Sequence, residues 1–272
     1  MFSVLISVYK NDKAKDFRTA LASITCWQTI KPSEVVLVVD GPVPEETNIV
    51  ISEAEATNPG LYKVIRFEEN QGLGAALQRG MVTATNEIVM RMDSDDIAAP
   101  DRFEKQIRYM EEYPNVAVCG GQIVEFIDNV DSIVGRRAVP CMNEDIYQYM
   151  KSRCAFNHMT VALRRSKVLE VGNYQPWFWN EDYYLWIRLM IAECEFANLP
   201  DTLVKVRVGK EMYQRRGGMK YFKSEVGIQK LMRDNSLISW PRFFFNVLVR
   251  WGVQVAMPNW LRGWMFQRLF RN

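Results

Sequence analysis

The chain has 272 residues, 48% of them apolar, and its 34 Lys and Arg against 32 Asp and Glu leave a net charge of +2. That length suits one large domain with an appendage, and a near-neutral chain with no Lys/Arg cluster in its body excludes wholesale nucleic-acid binding. The five cysteines (Cys26, Cys119, Cys141, Cys154 and Cys194) are odd in number and lack Cys-x-x-Cys spacing, which excludes a disulfide framework or a zinc site and fits reduced thiols in a cytosolic protein.

Met1 leads directly into a strand-like run with no basic n-region, so no secretory signal is expected. Ser3 to Tyr9 predicts a buried strand and Lys13 to Gln28 a helix. Val35 to Val39 predicts a second strand, ending in Asp40-Gly41, and a polar helix follows Pro44. Tyr62 to Phe67 predicts a third strand, Gly74 to Thr83 a helix, Ile88 to Met92 a fourth strand, and another helix is expected near Pro100. Strand–helix alternation of this kind predicts a parallel α/β sheet covered on both faces. Ligands of such sheets bind beyond the carboxyl ends of the strands, which brings Tyr9, Asp40 and Asp93 to one crevice. The second half is less regular. Val116 to Ile127 predicts a long strand and Asn143 to Ser152 a short helix, and Tyr174 to Trp179 leads through Asn180-Glu181-Asp182 into an amphipathic helix ending at Ile191.

Asp93-Ser94-Asp95-Asp96 places three carboxylates within four residues at the end of an apolar run. Their mutual repulsion is tolerated in a solvated turn or beside a hard cation. Oxygen-only ligands suit Mg²⁺ or Mn²⁺, which bind substrate phosphates as well. The plain alternative is an Asp-rich turn capping the helix near Pro100. Asp182 likewise fits either catalysis or the favourable first turn of a helix. His158 suits an approach to acceptor or metal, or a hydrogen-bonded structural role, and Trp177 and Trp179 suit an acceptor-stacking wall or core packing. Rival functions lack their parts. A dinucleotide loop beginning Gly72-Leu73-Gly74 has Leu77 where its third glycine belongs, and follows the third strand. A pyrophosphorylase needs a Gly-rich basic loop where Tyr9-Lys10-Asn11-Asp12 stands. A non-catalytic sugar-nucleotide-binding subunit has no need of both Asp95 and Asp182.

From Trp240 to Asn272 there is no Asp or Glu, but there are five Arg (242, 250, 262, 268 and 271) and four of the eight Trp. Arg242, Asn246, Arg250 and Gln254 recur every four residues as one polar stripe on a helix otherwise made of Phe, Val, Leu and Trp. The apolar stretch is too short and interrupted to span a bilayer. A basic, Trp-rich amphipathic helix of this type lies in the interface of an anionic membrane, and at about 1 kcal/mol per basic residue five Arg give about 5 kcal/mol. The competing expectation is a helix that completes the core. The division expected is a domain over 1–235 and a tail over 236–272.

Ser3-Val4-Leu5-Ile6-Ser7-Val8-Tyr9, Val39-Asp40-Gly41, Asn70-Gln71-Gly72-Leu73-Gly74, Arg91-Met92-Asp93-Ser94-Asp95-Asp96-Ile97 and Asn180-Glu181-Asp182 occur in this order. Over roughly residues 1–215 the chain resembles the inverting family 2 glycosyltransferases, in particular those of bacterial capsule, exopolysaccharide and O-antigen synthesis. The resemblance implies the GT-A fold, a Rossmann-like mixed sheet flanked by helices. It also implies transfer of a hexose from a UDP-sugar, with Mn²⁺ or Mg²⁺, to a saccharide on a polyprenyl diphosphate, forming a β linkage. Ser7, Tyr9, Asp40, Gly72 and Asp93 would then bind the nucleoside part of the donor, with Asp40 accepting from the base. Asp95 with Asp93 would ligate the metal, Asp96 would touch the donor sugar, and Asp182 would be the general base. Trp179, Glu181 and His158 would flank the acceptor, and Arg207, Arg215 and Arg216 would sit on a loop over the diphosphate. The implied setting is cytoplasmic, peripheral on the inner face of the membrane, with a homo-oligomer left open.

Overall fold

The computed structural model describes residues 1–209 and 217–257 of the protein. Arg215 and Arg216, and Arg262, Arg268 and Arg271 of the tail, lie outside the described residues. β1 (Ser3–Val8), β2 (Glu34–Val39), β3 (Tyr62–Arg66) and β4 (Ile88–Met92) are parallel, in the order β3-β2-β1-β4. Beyond β4 the sheet turns mixed. β8 (Ala162–Arg164) is antiparallel to both β4 and β6 (Val116–Phe126), and β6 runs parallel to β9 (Glu195–Arg207). The short β5 (Ile97–Ala98) closes that edge against β9, and β7 (Ile133–Arg137) pairs with β6.

The expectation of a parallel sheet thus holds for the first four strands, and the mixed sheet implied by the resemblance holds for the whole. β9, the longest strand, has no counterpart in the sequence reading. Pro200 interrupts its pattern, and the pairing register with β6 shifts by two residues between Leu199 and Thr202, the kind of irregularity that hides a strand from a period-two reading.

The central strands are buried on both faces and split their side chains by the strand period. Val4 and Ile6 face one core with Phe17 and Leu21 of α1 (Ala14–Ile24). Leu5 faces the other, with Leu77 and Met81 of α3 (Leu73–Thr83). The second core is completed by Trp186 of α7 (Glu181–Ile191) and Phe156. The remaining helices are α2 (Glu45–Thr57), α4 (Arg102–Glu112), α5 (Asn143–Met150), α6 (Arg165–Glu170), α8 (Met219–Asp234) and α9 (Trp240–Trp251), the last continued by a wider turn over Gly252–Ala256. All five cysteines are free.

α9 carries the polar stripe, and from Asn246 onward the stripe points into the protein, while Arg242 at its start is exposed. The Asn246 side-chain amide donates to Gln229 Oε1 of α8 and to the Lys151 carbonyl, both at 2.8 Å. Arg250 pairs with Glu225 of α8 at 2.6 Å and donates to the Ser152 carbonyl at 2.6 Å. This corrects the count of five membrane-facing arginines: Arg250 is spent inside the protein, because a buried carboxylate on α8 stands opposite it.

Candidate active site

β1, β2 and β4 are neighbours in register, Val8 opposite Val39 and Ile6 opposite Met92, so Tyr9, Asp40 and Asp93 emerge together at one edge, with Ser7 just behind. Asp40 is 5% exposed. Its Oδ1 accepts from the Gln71 amide at 2.7 Å, and its Oδ2 accepts from the Gly72 amide at 2.9 Å and from Asn70 Nδ2 at 2.8 Å. The carboxylate therefore clamps the loop that begins α3, where a helix N-terminus favours negative charge. Gly41 and Gly72 both have positive φ, +83° and +89°. A Cβ at Gly41 would stand 2.6 Å from the Asn70 nitrogen, so only glycine lets the two loops close. A carboxylate offers about four lone-pair positions; the clamp takes three of them.

The acidic turn between β4 and β5 rests on a buried cation. Arg91, 1% exposed, is ion-paired with Asp93, and its Nε and Nη1 find no hydrogen-bond partner among the described residues. Buried Arg102 donates to the Arg91 carbonyl at 2.7 Å. Ser94 Oγ donates to Asp12 Oδ2 at 2.7 Å, and the same oxygen accepts from the Tyr9 amide at 3.0 Å. Asp96 accepts from the Arg207 amide at 2.9 Å. Arg207 is the last residue of β9, a strand residue where a loop was expected. Its guanidinium is held by Asp16 at 3.0 Å and by the Asp95 carbonyl at 3.3 Å, and lies 4.7 Å over the Phe126 ring. β9 places it there by pairing with β5, so it fastens the turn.

Three of these carboxylates, Asp95, Asp12 and Asp96, resist ionisation. Burial, followed by the charges of Asp93 and Asp12, pushes Asp95 up to about 7. Burial pushes Asp12 up to about 6, and burial with Asp95 and Asp93 raises Asp96 well above the usual range. Among the described residues no three or more His, Cys, Asp or Glu side chains are arranged to enclose a metal ion. Asp93 and Asp95 offer oxygen donors of the kind with which one or two carboxylates hold Mg²⁺, phosphates and water completing its shell.

Near the acidic turn stands the N-terminus of α7, where Glu181 feels the Asp93 charge. Asp182 Oδ1 accepts from the Tyr183 amide at 2.7 Å, and Oδ2 lies 4.0 Å from Cys154 Sγ. Burial, then Asp182, pushes Glu181 up to about 7, with a further rise from Asp93. Buried Tyr174 feels Arg91, Asp182 and Asp93 together, which puts the two acidic groups within one electrostatic field. His158 Nε2 is hydrogen-bonded to Tyr174 Oη at 2.9 Å, and burial followed by the Arg91 charge holds its pKa well below the usual value. The bond to Tyr174 is what the structural alternative for His158 expects.

The two tryptophans divide. Trp177 packs, stacked on Tyr184 at 4.2 Å and donating from Nε1 to the Ser224 carbonyl at 3.1 Å. Trp179 is 51% exposed, stacks on Phe178 at 4.5 Å and has φ +55°, a left-handed conformation that is an outlier for a bulky side chain and that marks functional positions. Sequence reasoning missed Asp12 and gave Arg91 no role. A lone cation in a buried strand just before three acids was a usable signal for Arg91; nothing local marks Asp12.

The profile of Glycosyl transferase family 2 matches residues 3–172, and that of Glycosyl transferase family group 2 matches residues 88–267. The chain is 42% identical over 231 residues to the amylovoran biosynthesis glycosyltransferase AmsE of Erwinia amylovora, across 85% of each chain. It is 35% identical over 271 residues to the UDP-Gal:alpha-D-GlcNAc-diphosphoundecaprenol beta-1,3-galactosyltransferase of Escherichia coli, across 99% of this chain and 96% of that one. Mannosyltransferase PcManGT from Pyrobaculum calidifontis, solved with GDP-Man and Mn²⁺, aligns with a TM-score of 0.62 at 17% identity over 94% of this chain and 75% of that chain, a likeness of fold. With its mixed GT-A sheet and the acidic turn at the sheet's edge, the chain belongs to glycosyl transferase family 2 and is a glycosyltransferase related to enzymes of polysaccharide biosynthesis.

Proposed function

We propose that this glycosyltransferase moves a hexose from a UDP-sugar to a saccharide on a lipid diphosphate during surface-polysaccharide synthesis, inverting the anomeric carbon to give a β linkage. The observation that carries this reading is the nearness of the Asp93–Asp96 turn to the Glu181–Asp182 start of α7, since Glu181 and Tyr174 both feel the Asp93 charge. The E. coli relative, named for UDP-Gal and for GlcNAc-diphosphoundecaprenol, supports the donor and acceptor classes.

In this reading Ser7, Tyr9, Asp40, Gly72 and Asp93 receive the nucleoside, and Asp95 with Asp93 would hold Mn²⁺ or Mg²⁺. The chemistry a divalent cation supplies there, when bound, is neutralisation of charge developing on the leaving diphosphate. Asp96, fastened by the Arg207 amide, faces the donor sugar, and Trp179 offers its exposed ring to the acceptor sugar. Asp182 takes the proton of the attacking acceptor hydroxyl, a contribution of about 10²- to 10⁴-fold. The new bond from acceptor oxygen to C1 forms as the bond from C1 to the diphosphate oxygen breaks, and UDP leaves.

The test is UDP release from UDP-galactose, UDP-glucose and UDP-N-acetylglucosamine, with Mn²⁺ and an N-acetylglucosaminyl-diphospho-lipid acceptor, comparing wild type with Asp182→Asn. The expected result is acceptor-dependent release from one donor, falling about 10²- to 10⁴-fold in the variant while UDP binding is kept. Release by the variant at the wild-type rate would move the base elsewhere, and no release from any of the three would overturn the donor class.

A further inference from the structure

α9 is amphipathic in the reverse of the usual sense for a helix packed on a soluble domain. Such a helix buries its apolar stripe and shows its polar face to water. Here Asn246 and Gln254 are buried and Arg250 is paired with Glu225, while Phe244, Phe245 and Leu248 are 62%, 60% and 67% exposed, next to exposed Trp240, Val249 and Trp251. The polar anchors are specific, so the orientation is fixed: Asn246 bonds to both Gln229 and the Lys151 carbonyl, and Arg250 to Glu225 and the Ser152 carbonyl. A contiguous face of this kind marks an interaction site.

Charge points to the occupant. Residues 217–272 hold nine Lys and Arg against two Asp and Glu, whereas the whole chain is only +2, so what precedes is net acidic. Lys220, Lys223 and Lys230 of α8 and Arg242 of α9 are exposed. No helix among the described residues is long and apolar enough to cross a membrane.

We infer that the outward face of α9, centred on Phe244, Phe245 and Leu248, inserts into the surface of an anionic phospholipid bilayer. The apolar side chains supply the insertion, and the basic residues exposed on α8 and α9 supply the preference for negative headgroups. The same helix is tied to the acceptor side of the crevice. Its polar stripe holds the carbonyls of Lys151 and Ser152, just before Cys154 beside Asp182. It also holds Glu225, the neighbour of Ser224, whose hydroxyl donates to the Phe178 carbonyl and accepts from Asn180 Nδ2, immediately before α7. The bilayer face and the Asp182 segment thus form one braced unit, which sets the crevice at a fixed height over the lipid. The purpose of that arrangement rests on the lipid-linked acceptor proposed above; the binding itself does not.

The experiment is flotation of the full chain with vesicles of phosphatidylcholine alone or mixed with phosphatidylglycerol, for wild type and for Phe244→Ser/Leu248→Ser. Transfer to a short-chain, water-soluble acceptor without vesicles, and Tm, are measured on both. Wild type is expected to float with the anionic vesicles, and the double variant to lose at least about tenfold in partitioning, with Tm and soluble transfer unchanged. Equal flotation of both proteins would overturn the inference. A variant that unfolds at lower temperature would show that the chain itself covers this face, and conversion of a wild-type dimer to a monomer would show a contact between copies; either result also overturns it. Loss of soluble transfer by wild type would count against the proposed function alone, because flotation is read independently.

Discussion

Asp40→Asn keeps the size of the side chain and removes one acceptor. In the least costly orientation the amide oxygen replaces Oδ2 and still accepts from the Gly72 amide and Asn70 Nδ2, while the new NH₂ faces the Gln71 N–H where a 2.7 Å hydrogen bond stood. A hydrogen bond to a charged group contributes about 1.5–3 kcal/mol, and stranding its donor adds a desolvation cost, so the expected loss is about 3 kcal/mol. For a domain of this size that lowers Tm by about 6–12 °C, and chemical denaturation should show the same loss. Because the clamp shapes the loop at the start of α3, UDP affinity measured by calorimetry well below Tm should fall too. An unchanged Tm with UDP binding abolished would refute the clamp and leave base contact as the sole role of Asp40.

Gly41→Ala should cost about 2–4 kcal/mol from its left-handed φ and from overpacking against the Asn70 backbone, and an unaltered melting curve would show that the two loops do not meet as described. In chelator, Asp12, at about 6, and Asp95 and Glu181, at about 7, hold protons more tightly in the folded than in the unfolded chain. Their contribution to stability is therefore fully present below the ordinary carboxylate range and is lost as pH rises through 6 to 7. Tm should fall between pH 5 and pH 8, and Mn²⁺ should restore more of it at pH 8 than at pH 5; a Tm in chelator that is flat or rises over that interval contradicts the assignment. Trp177→Ala should lose about 3–5 kcal/mol. Trp179→Gly should instead gain about 1 kcal/mol by relieving its backbone while raising KM for the acceptor, and an unchanged KM would remove Trp179 from the acceptor site.

Much of this protein was legible in its sequence because the signals are local. β1, β2 and β4 are apolar runs flanked by turn residues, and a buried parallel strand needs little more. Once those strands are parallel neighbours, the residues ending them, Tyr9, Asp40 and Asp93, must share an edge, and the acids of the Asp93–Asp96 turn announce their chemistry by their number. The start of α7 at Glu181 was equally plain from its apolar periodicity. Tertiary structure alone decided what those polar residues bind. Asp40 clamps a loop thirty residues on, Arg207 closes the turn from the end of an irregular strand, His158 bonds to Tyr174, and Asp12 joins the acidic group only because the first strand's exit loop folds under Ser94. The stripe on α9 makes the same point. Its four-residue spacing fixes a helix with one polar face, since side chains four apart share a face. Whether that face meets water or protein depends on Glu225 and Gln229, which lie on another helix and can be recognised as partners only when the two are packed together.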